Sequence, residues 1–229
     1  MNTSYRLLSV LLDYPGQELL DAEGEIRAAL QQLPALAGPL EPLLGFLYRE
    51  GHSLIDLQEN YTATFDRNPG HALHLFEHIH GESRDRGQAM VDLLQEYQRH
   101  GFEPAMAELP DHVPLFLEFL SLVPEAEASG LLGDAIHVLA GIGERLARNE
   151  SPYAAVFTAL RSLTDVVPQP PEVAPVRDMD EAMETFGPGV DGIEPLLKPG
   201  HAAGGLHPVQ FHPRSARPAR PAHAQGSMT

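Results

Sequence analysis

Polar and titratable side chains are concentrated in two stretches of the chain, and both stretches could bind a charged partner. The first covers residues 61–88, where carboxylates, histidines and arginines follow one another closely. The second is the pentapeptide Glu-Leu-Pro-Asp-His at residues 108–112. Carboxylates accept hydrogen bonds from cationic donors, and histidines change charge near neutral pH. The same residue types also serve as helix caps and solvated helix faces, so a purely structural interpretation stays open.

A catalytic zinc site is one interpretation of the first stretch. His74, Glu77 and His78 match the inverted zinc-peptidase pattern H-x-x-E-H, in which two histidines on one helix face bind the metal and a glutamate acts as general base. Such a site also needs a third ligand and a cleft flanked by strands, and the sequence shows no strand pattern. A zinc hydrolase therefore remains an alternative, and we predict no metal ligands. His71 and His80 could join these histidines in adventitious metal binding only.

No other catalytic centre is indicated. Gly141 and Gly143 lie inside a helical pattern without the strand and lysine of a phosphate-binding loop, and no G-x-S-x-G sequence occurs. The chain has no cysteine, which excludes disulfides, cysteine nucleophiles and thiolate ligands to metals. We predict that the protein is not an enzyme and carries no cofactor.

A peptide-binding groove fits the polar residues better. Asp111 and His112 precede an apolar helix, whose N-terminus offers free amide groups and a positive dipole end. A groove with apolar walls and with Glu77, Glu82, Glu108 and Asp111 at its rim would suit an amphipathic peptide that carries arginine or lysine. Histidines nearby would make its affinity depend on pH.

Helices must position these residues, because apolar side chains recur with helical spacing as far as about residue 165. Each apolar stripe needs an apolar partner, so we predict an all-α fold, a single globular helical bundle. Ser53, Asp111 and Ser151 are the predicted helix caps or starts. The four clearest stripes are Leu40, Leu43, Leu44 and Leu47; Met90, Leu93, Leu94 and Tyr97; Leu132, Ile136, Leu139, Ile142 and Leu146; and Tyr153, Val156, Phe157 and Leu160.

The segment 113–123 is apolar nearly all round, which predicts a central helix. We assign residues 1–168 to the helical domain. Residues 169–186 are a proline-rich acidic segment with a short helical pattern, and residues 187–229 are a tail predicted to be disordered because it has few apolar residues.

The charge distribution narrows the class of partner. The chain carries a formal net charge of −17; residues 1–198 hold 12 basic and all 32 acidic residues, a net charge of −20, while residues 199–229 hold three arginines and no acidic residue. An acidic surface repels nucleic acid and anionic lipid, so we predict neither partner. No charge-free stretch reaches the length of a membrane helix, about 18 or more apolar residues, so we predict no stable membrane insertion. No signal-peptide pattern is found, and we predict a cytoplasmic protein.

Both polar stretches resemble the NarJ family of assembly chaperones, sometimes called delta subunits, of respiratory membrane-bound nitrate reductase. The resemblance rests on residues 61–66, on the run Leu-Phe-Glu-His-Ile-His-Gly-Glu-Ser-Arg-Asp-Arg-Gly-Gln-Ala-Met at 75–90, and on residues 108–112 with Pro114, Leu115 and Glu118 after them. It covers residues 3–165, and it extends to the wider superfamily that includes TorD and DmsD.

This resemblance implies an all-α bundle that binds the N-terminus of the apo catalytic (alpha) subunit and keeps that subunit competent for molybdenum cofactor insertion and iron–sulfur assembly before membrane docking. The chaperone then leaves and is absent from the mature enzyme. A chaperone of another molybdenum oxidoreductase and a permanent structural subunit of the reductase are the alternatives. The residues placed in or beside the peptide site by the resemblance are Phe76, Glu77, His78, His80, Glu82, Arg84, Arg86, Glu108, Pro110, Asp111, His112 and Leu115.

Overall fold

A computed structural model of the chain describes residues 2–80, 84–104 and 108–169, all within one compact unit. The elements are helices, as predicted. They are α1 (Thr3–Leu12), α2 (Gln17–Asp21), α3 (Glu23–Gln31), α4 (Pro34–Leu47), α5 (Leu54–Tyr61), a π-helical turn (Thr62–Asp66), a 3₁₀ turn (Pro69–His71), α6 (Glu77–His80), α7 (Arg84–Arg99), α8 (Val113–Leu122), α9 (Glu125–Arg148) and α10 (Ala154–Arg161).

The predicted apolar stripes form the core of the bundle. All five stripe residues of α9 and all four of α4 are buried, and α10 packs against both of these helices. Helix α7 differs, because Tyr97 is fully buried while Leu93 and Leu94 only border the core. Burial of apolar area at about 25 cal/mol per Å² is the main stabilising contribution in such a bundle.

Helix α8 is the predicted central helix. Seven of its ten residues are buried, and α1 packs along it. Two hydrogen bonds fix the relative position of these helices: Asn2 N donates to the Ser121 carbonyl at 2.7 Å, and Ser9 Oγ donates to the Pro114 carbonyl at 2.7 Å. The packing brings the end of α1 next to the start of α8.

The predicted helix starts had three different outcomes. Ser53 forms a complete capping box with Asp56, as predicted. Asp111 does not cap α8, because His112 occupies the cap position and Asp111 binds other groups. Helix α10 begins at Ala154, and Ser151 forms the turn before it.

Two sequence predictions fall wholly or mostly beyond the described part of the chain. The helical pattern within 169–186 and the tail 187–229 lie outside the described residues, apart from residue 169. Among residues 2–80, 84–104 and 108–169, no helix is long and apolar enough to cross a membrane.

Candidate functional site

The two polar stretches of the sequence are joined by a short backbone pairing. His74 and His112 form an isolated antiparallel bridge, the only β-type pairing in the described parts of the chain. Leu75 N donates to the Asp111 carbonyl at 3.0 Å, and Val113 N donates to the Leu73 carbonyl at 2.8 Å. Residues 73–76 therefore hold the Glu-Leu-Pro-Asp-His loop at the entrance to α8.

The Asp111 carboxylate completes this pairing from inside the protein. It is fully buried, and it accepts hydrogen bonds from Phe76 N at 3.0 Å and from His74 Nδ1 at 3.4 Å. Burial acts to raise the pKa of Asp111, but these two hydrogen bonds and the charge of Arg86 hold it below its usual value. Asp111 is therefore ionised at neutral pH. The prediction that it lies at the rim of a groove was wrong, because its side chain has no exposed surface.

Tyr97 holds the same loop from the side of α7. Its hydroxyl donates to the Pro110 carbonyl at 2.7 Å, and its ring packs on Phe119 and Phe102 with centroid distances of 4.5 and 5.3 Å. Burial raises the pKa of Tyr97 well above its ordinary value, so the hydroxyl stays protonated and remains a donor. The apolar spacing predicted Tyr97 only as a core residue, because its bond to Pro110 cannot be inferred from spacing.

An acidic cavity of about 320 Å³ opens beside the loop. Four carboxylates, one imidazole and several apolar side chains line it, and they come from α1, from the α7–α8 connection and from α8. The lining residues are Ser9, Asp13, Phe102, Glu103, Pro104, Glu108, His112, Pro114, Leu115 and Glu118. We call this the α1–α8 cavity.

His112 is the one histidine among the described residues that line the α1–α8 cavity. Its ring lies 3.9 Å from a Glu108 carboxylate oxygen and 5.3 Å, centroid to centroid, from the His74 ring. Burial and the neighbouring His74 lower the pKa of His112 below 6.5, although Glu108, Asp13 and Asp111 act in the opposite direction. The ring is therefore neutral at neutral pH and adds no positive charge to the wall of the α1–α8 cavity.

The structure brings together only part of the predicted site. Glu108, His112 and Leu115 line the α1–α8 cavity, and Pro110 and Asp111 support it from behind. Asp13, Glu103 and Glu118 were missed. A signal existed for Glu118, which is the single charge on an otherwise apolar helix.

The other predicted residues that the structure describes do not line the α1–α8 cavity. Glu77 pairs with Arg86 at 3.7 Å, and the Phe76 ring lies 6.0 Å from the His80 ring. The first pair joins α6 to α7, whereas the second is a contact between the two ends of the α6 turn itself. Glu82 and the side chain of Arg84 lie outside the described residues.

The zinc interpretation loses its geometric basis. Helix α6 begins at Glu77, so His74 is not on one helix face with His78, and it belongs to the bridge instead. His78 is buried and uses both ring nitrogens, Nε2 toward the Ala72 carbonyl at 2.8 Å and Nδ1 toward Arg145 at 3.2 Å. Within the described residues, no group of three or more histidine or acidic side chains is arranged to hold a metal ion.

Comparison with known proteins gives consistent relatives. A family model described as nitrate reductase delta subunit matches residues 23–159. The nitrate reductase molybdenum cofactor assembly chaperone NarJ of Escherichia coli strain K12 is 39% identical over 189 residues, covering 82% of this chain and 80% of that protein. The relative called NarJ in Bacillus subtilis strain 168 is 30% identical, covering 70% of this chain and 90% of its own.

A solved structure shares the fold. It is described as a redox enzyme maturation protein from Archaeoglobus fulgidus, and it matches with a TM-score of 0.53 at 23% identity. The match covers 70% of this chain and 91% of that one. At this level of identity the similarity concerns the arrangement of helices alone.

Proposed function

The chain belongs to the family of nitrate reductase delta subunits, and we propose that it is a cytoplasmic assembly chaperone for a respiratory nitrate reductase. In this role it binds the N-terminal peptide of the apo catalytic subunit and keeps that subunit competent for insertion of the molybdenum cofactor. The client carries the metal centres. The chaperone has no cysteine and needs no catalytic group of its own.

The α1–α8 cavity is the single observation that carries the peptide-binding part of the proposal. Its four carboxylates give it a negative charge, while Phe102, Pro104, Pro114 and Leu115 give it apolar walls. A lysine or arginine side chain matches both properties, because its methylene stem is apolar and its end is cationic. The cavity therefore suits a basic residue of an amphipathic peptide.

The surroundings of the α1–α8 cavity extend the contact surface. Leu109 is 45% exposed next to Glu108, and Tyr14 is 52% exposed next to Asp13. Such exposed apolar side chains beside a charged pocket are suited to the apolar face of a bound helix. We propose that the peptide lies across these residues with a basic side chain in the cavity.

Titration calorimetry with a synthetic peptide tests this proposal. The peptide should comprise the N-terminal residues of the nitrate reductase catalytic subunit from the same genome, and the full chain should bind it at pH 7.5. Glu118→Gln should weaken binding by about three- to tenfold, since removing one charge from a partly buried ion pair costs roughly 1 kcal/mol. Absence of binding between pH 5 and 8 would refute the proposal.

Glu41→Gln is the matched control for this experiment. Glu41 is an exposed residue of α4 that does not line the α1–α8 cavity. The substitution removes the same charge from the acidic body, so its affinity should equal that of the unmodified chain. Equal weakening by both substitutions would mean that only the net charge of the protein matters.

A pull-down distinguishes a chaperone from a permanent subunit. A chaperone should co-purify with the apo catalytic subunit and be missing from the active, membrane-bound enzyme. Stoichiometric recovery of this chain with the mature reductase would identify it as a structural subunit instead.

A further inference from the structure

One guanidinium group joins the two ends of the segment that pairs with the Glu-Leu-Pro-Asp-His loop. Arg145, in the last turn of α9, donates from Nε to the Gly70 carbonyl at 2.5 Å and from Nη2 to Nδ1 of His78 at 3.2 Å. Residues 70 and 78 are the two ends of the stretch that contains Leu73 and Leu75, whose backbones pair with the loop. Arg145 therefore binds both ends of segment 70–78, and this double contact is the closure of the segment.

His78 takes part in this arrangement through both of its ring nitrogens. The Ala72 carbonyl can only accept a hydrogen bond, and the Arg145 guanidinium can only donate one. The ring must then carry its proton on Nε2 and accept at Nδ1. His78 was predicted to contact the peptide, but both of its nitrogens are used to hold Ala72 and Arg145 together.

The residue that caps the C-terminus of α9 makes a related contact. Asn149 follows Arg145 by four residues, which places both side chains on one side of the helix. Asn149 Nδ2 donates to Nε2 of His71 at 3.0 Å, and Nδ1 of His71 donates to the Thr64 carbonyl at 3.0 Å. The end of α9 thus binds the 3₁₀ turn, and His71 joins that turn to the π-helical turn.

We infer that Arg145 is a positioning residue of the peptide site. By fixing the ends of segment 70–78 it fixes the backbone that bonds Asp111 and Val113, and so sets where Glu108 and His112 face the α1–α8 cavity. Residues 72–76 belong to no regular helix. Loss of the two Arg145 contacts would therefore increase the conformational freedom of this stretch. The effect on peptide affinity rests on the proposed function, whereas the effect on loop order does not.

Amide hydrogen exchange in Arg145→Met tests the inference on the full chain. The amides of Leu75 and Val113 should exchange at least about tenfold faster, because their acceptors, the carbonyls of Asp111 and Leu73, are no longer held in place. Amides in the core of α4 should keep their rates. If the unmodified chain binds the peptide, its affinity should also fall by about tenfold.

Arg148→Met is the control, since Arg148 is an exposed residue in the same last turn of α9. It should leave exchange at Leu75 and affinity unchanged. Arg145→Lys keeps the charge in case the Met variant does not fold. A lysine ammonium lacks the planar guanidinium geometry that donates to both the Gly70 carbonyl and His78 Nδ1. The Lys variant should therefore also show fast exchange at Leu75 and Val113.

Two results would overturn the inference. One is unchanged exchange at Leu75 and Val113 in both Arg145 variants. The other is uniformly faster exchange across α4, α8 and α9, which would make Arg145 a general stabilising residue. Failure of the unmodified chain to bind peptide, with local exchange still accelerated in the variants, would reject the proposed function and leave the positioning role intact.

Discussion

The His74 and His112 rings are tilted toward each other across their backbone bridge, with centroids 5.3 Å apart and ring planes inclined at 36°. One ring nitrogen of His74 is directed to the buried Asp111, while His112 lines the acidic α1–α8 cavity. The neighbouring His74 is one of the causes that lower the pKa of His112. The pair therefore connects His112, which lines the α1–α8 cavity, to the buried carboxylate of Asp111.

Acidification is expected to destabilise the protein through His112. Burial and His74 hold its pKa in the folded chain below 6.5, whereas the unfolded chain takes up the proton near 6.5. The unfolded state thus binds more protons between these two values, and stability falls as pH decreases through that window. The free energy of unfolding, measured by urea titration, should be lower at pH 5.5 than at pH 7.5.

His112→Gln should reduce this difference, because glutamine does not titrate. The pKa of Asp111 is also lowered, but its contribution is lost only below about pH 5, where the unfolded carboxylate starts to bind protons. The titration of Asp111 therefore does not affect the difference in the free energy of unfolding between pH 5.5 and pH 7.5. An unchanged pH difference in the His112→Gln variant would contradict the assignment to this histidine.

Tyr97→Phe should separate support of the loop from stability in general. The substitution removes the hydroxyl that donates to the Pro110 carbonyl, which should lower the free energy of unfolding by about 1 kcal/mol. It should also weaken peptide binding, because Pro110 lies within the loop that presents Glu108 and His112 to the α1–α8 cavity. Urea unfolding and calorimetry measure the two effects.

Tyr48→Phe is the matched control for Tyr97. The Tyr48 hydroxyl donates to the Leu19 carbonyl at 2.8 Å, and Tyr48 does not line the α1–α8 cavity. A similar loss of stability is expected, with affinity unchanged. If both variants lose affinity equally, the effect of Tyr97 is not specific to the loop.

Local patterns in the sequence predicted the helices well, because burial along each stripe depends on spacing within that helix. The capping box at Ser53 is correct for the same reason, since both of its partners lie within four residues. Asp111 was assigned to the wrong role because its position before α8 fits a cap, while its actual partner, Phe76 N, is 35 residues away.

The α1–α8 cavity could not be predicted, because its carboxylates come together only through packing. Asp13 ends α1 and Glu118 lies in α8, and nothing in their sequence positions indicates that these helices pack together. The role of Arg145 depends likewise on contacts 67 and 75 residues away. The sequence indicated the loop at 108–112. The carboxylates that line the cavity beside it, and the contacts of Arg145 with segment 70–78, arise only from tertiary packing.

The contact between α9 and α10 depends on the absence of a side chain at Gly143. A β-carbon at this position would lie 2.6 Å from Cβ of Phe157, closer than two non-bonded carbon atoms can approach. Gly143→Ala should therefore force the two helices apart and lower the free energy of unfolding by roughly 1–3 kcal/mol.

Gly130→Ala tests the same substitution on the same helix without the clash. A β-carbon at Gly130 would meet no atom within 4 Å, so alanine should stabilise α9 by about 0.5–1 kcal/mol through its higher helix propensity. Opposite signs for the two variants in thermal and urea unfolding would establish that close packing, and not helix propensity, requires glycine at 143. Stabilisation by both would show that α10 can move away from α9 at little cost.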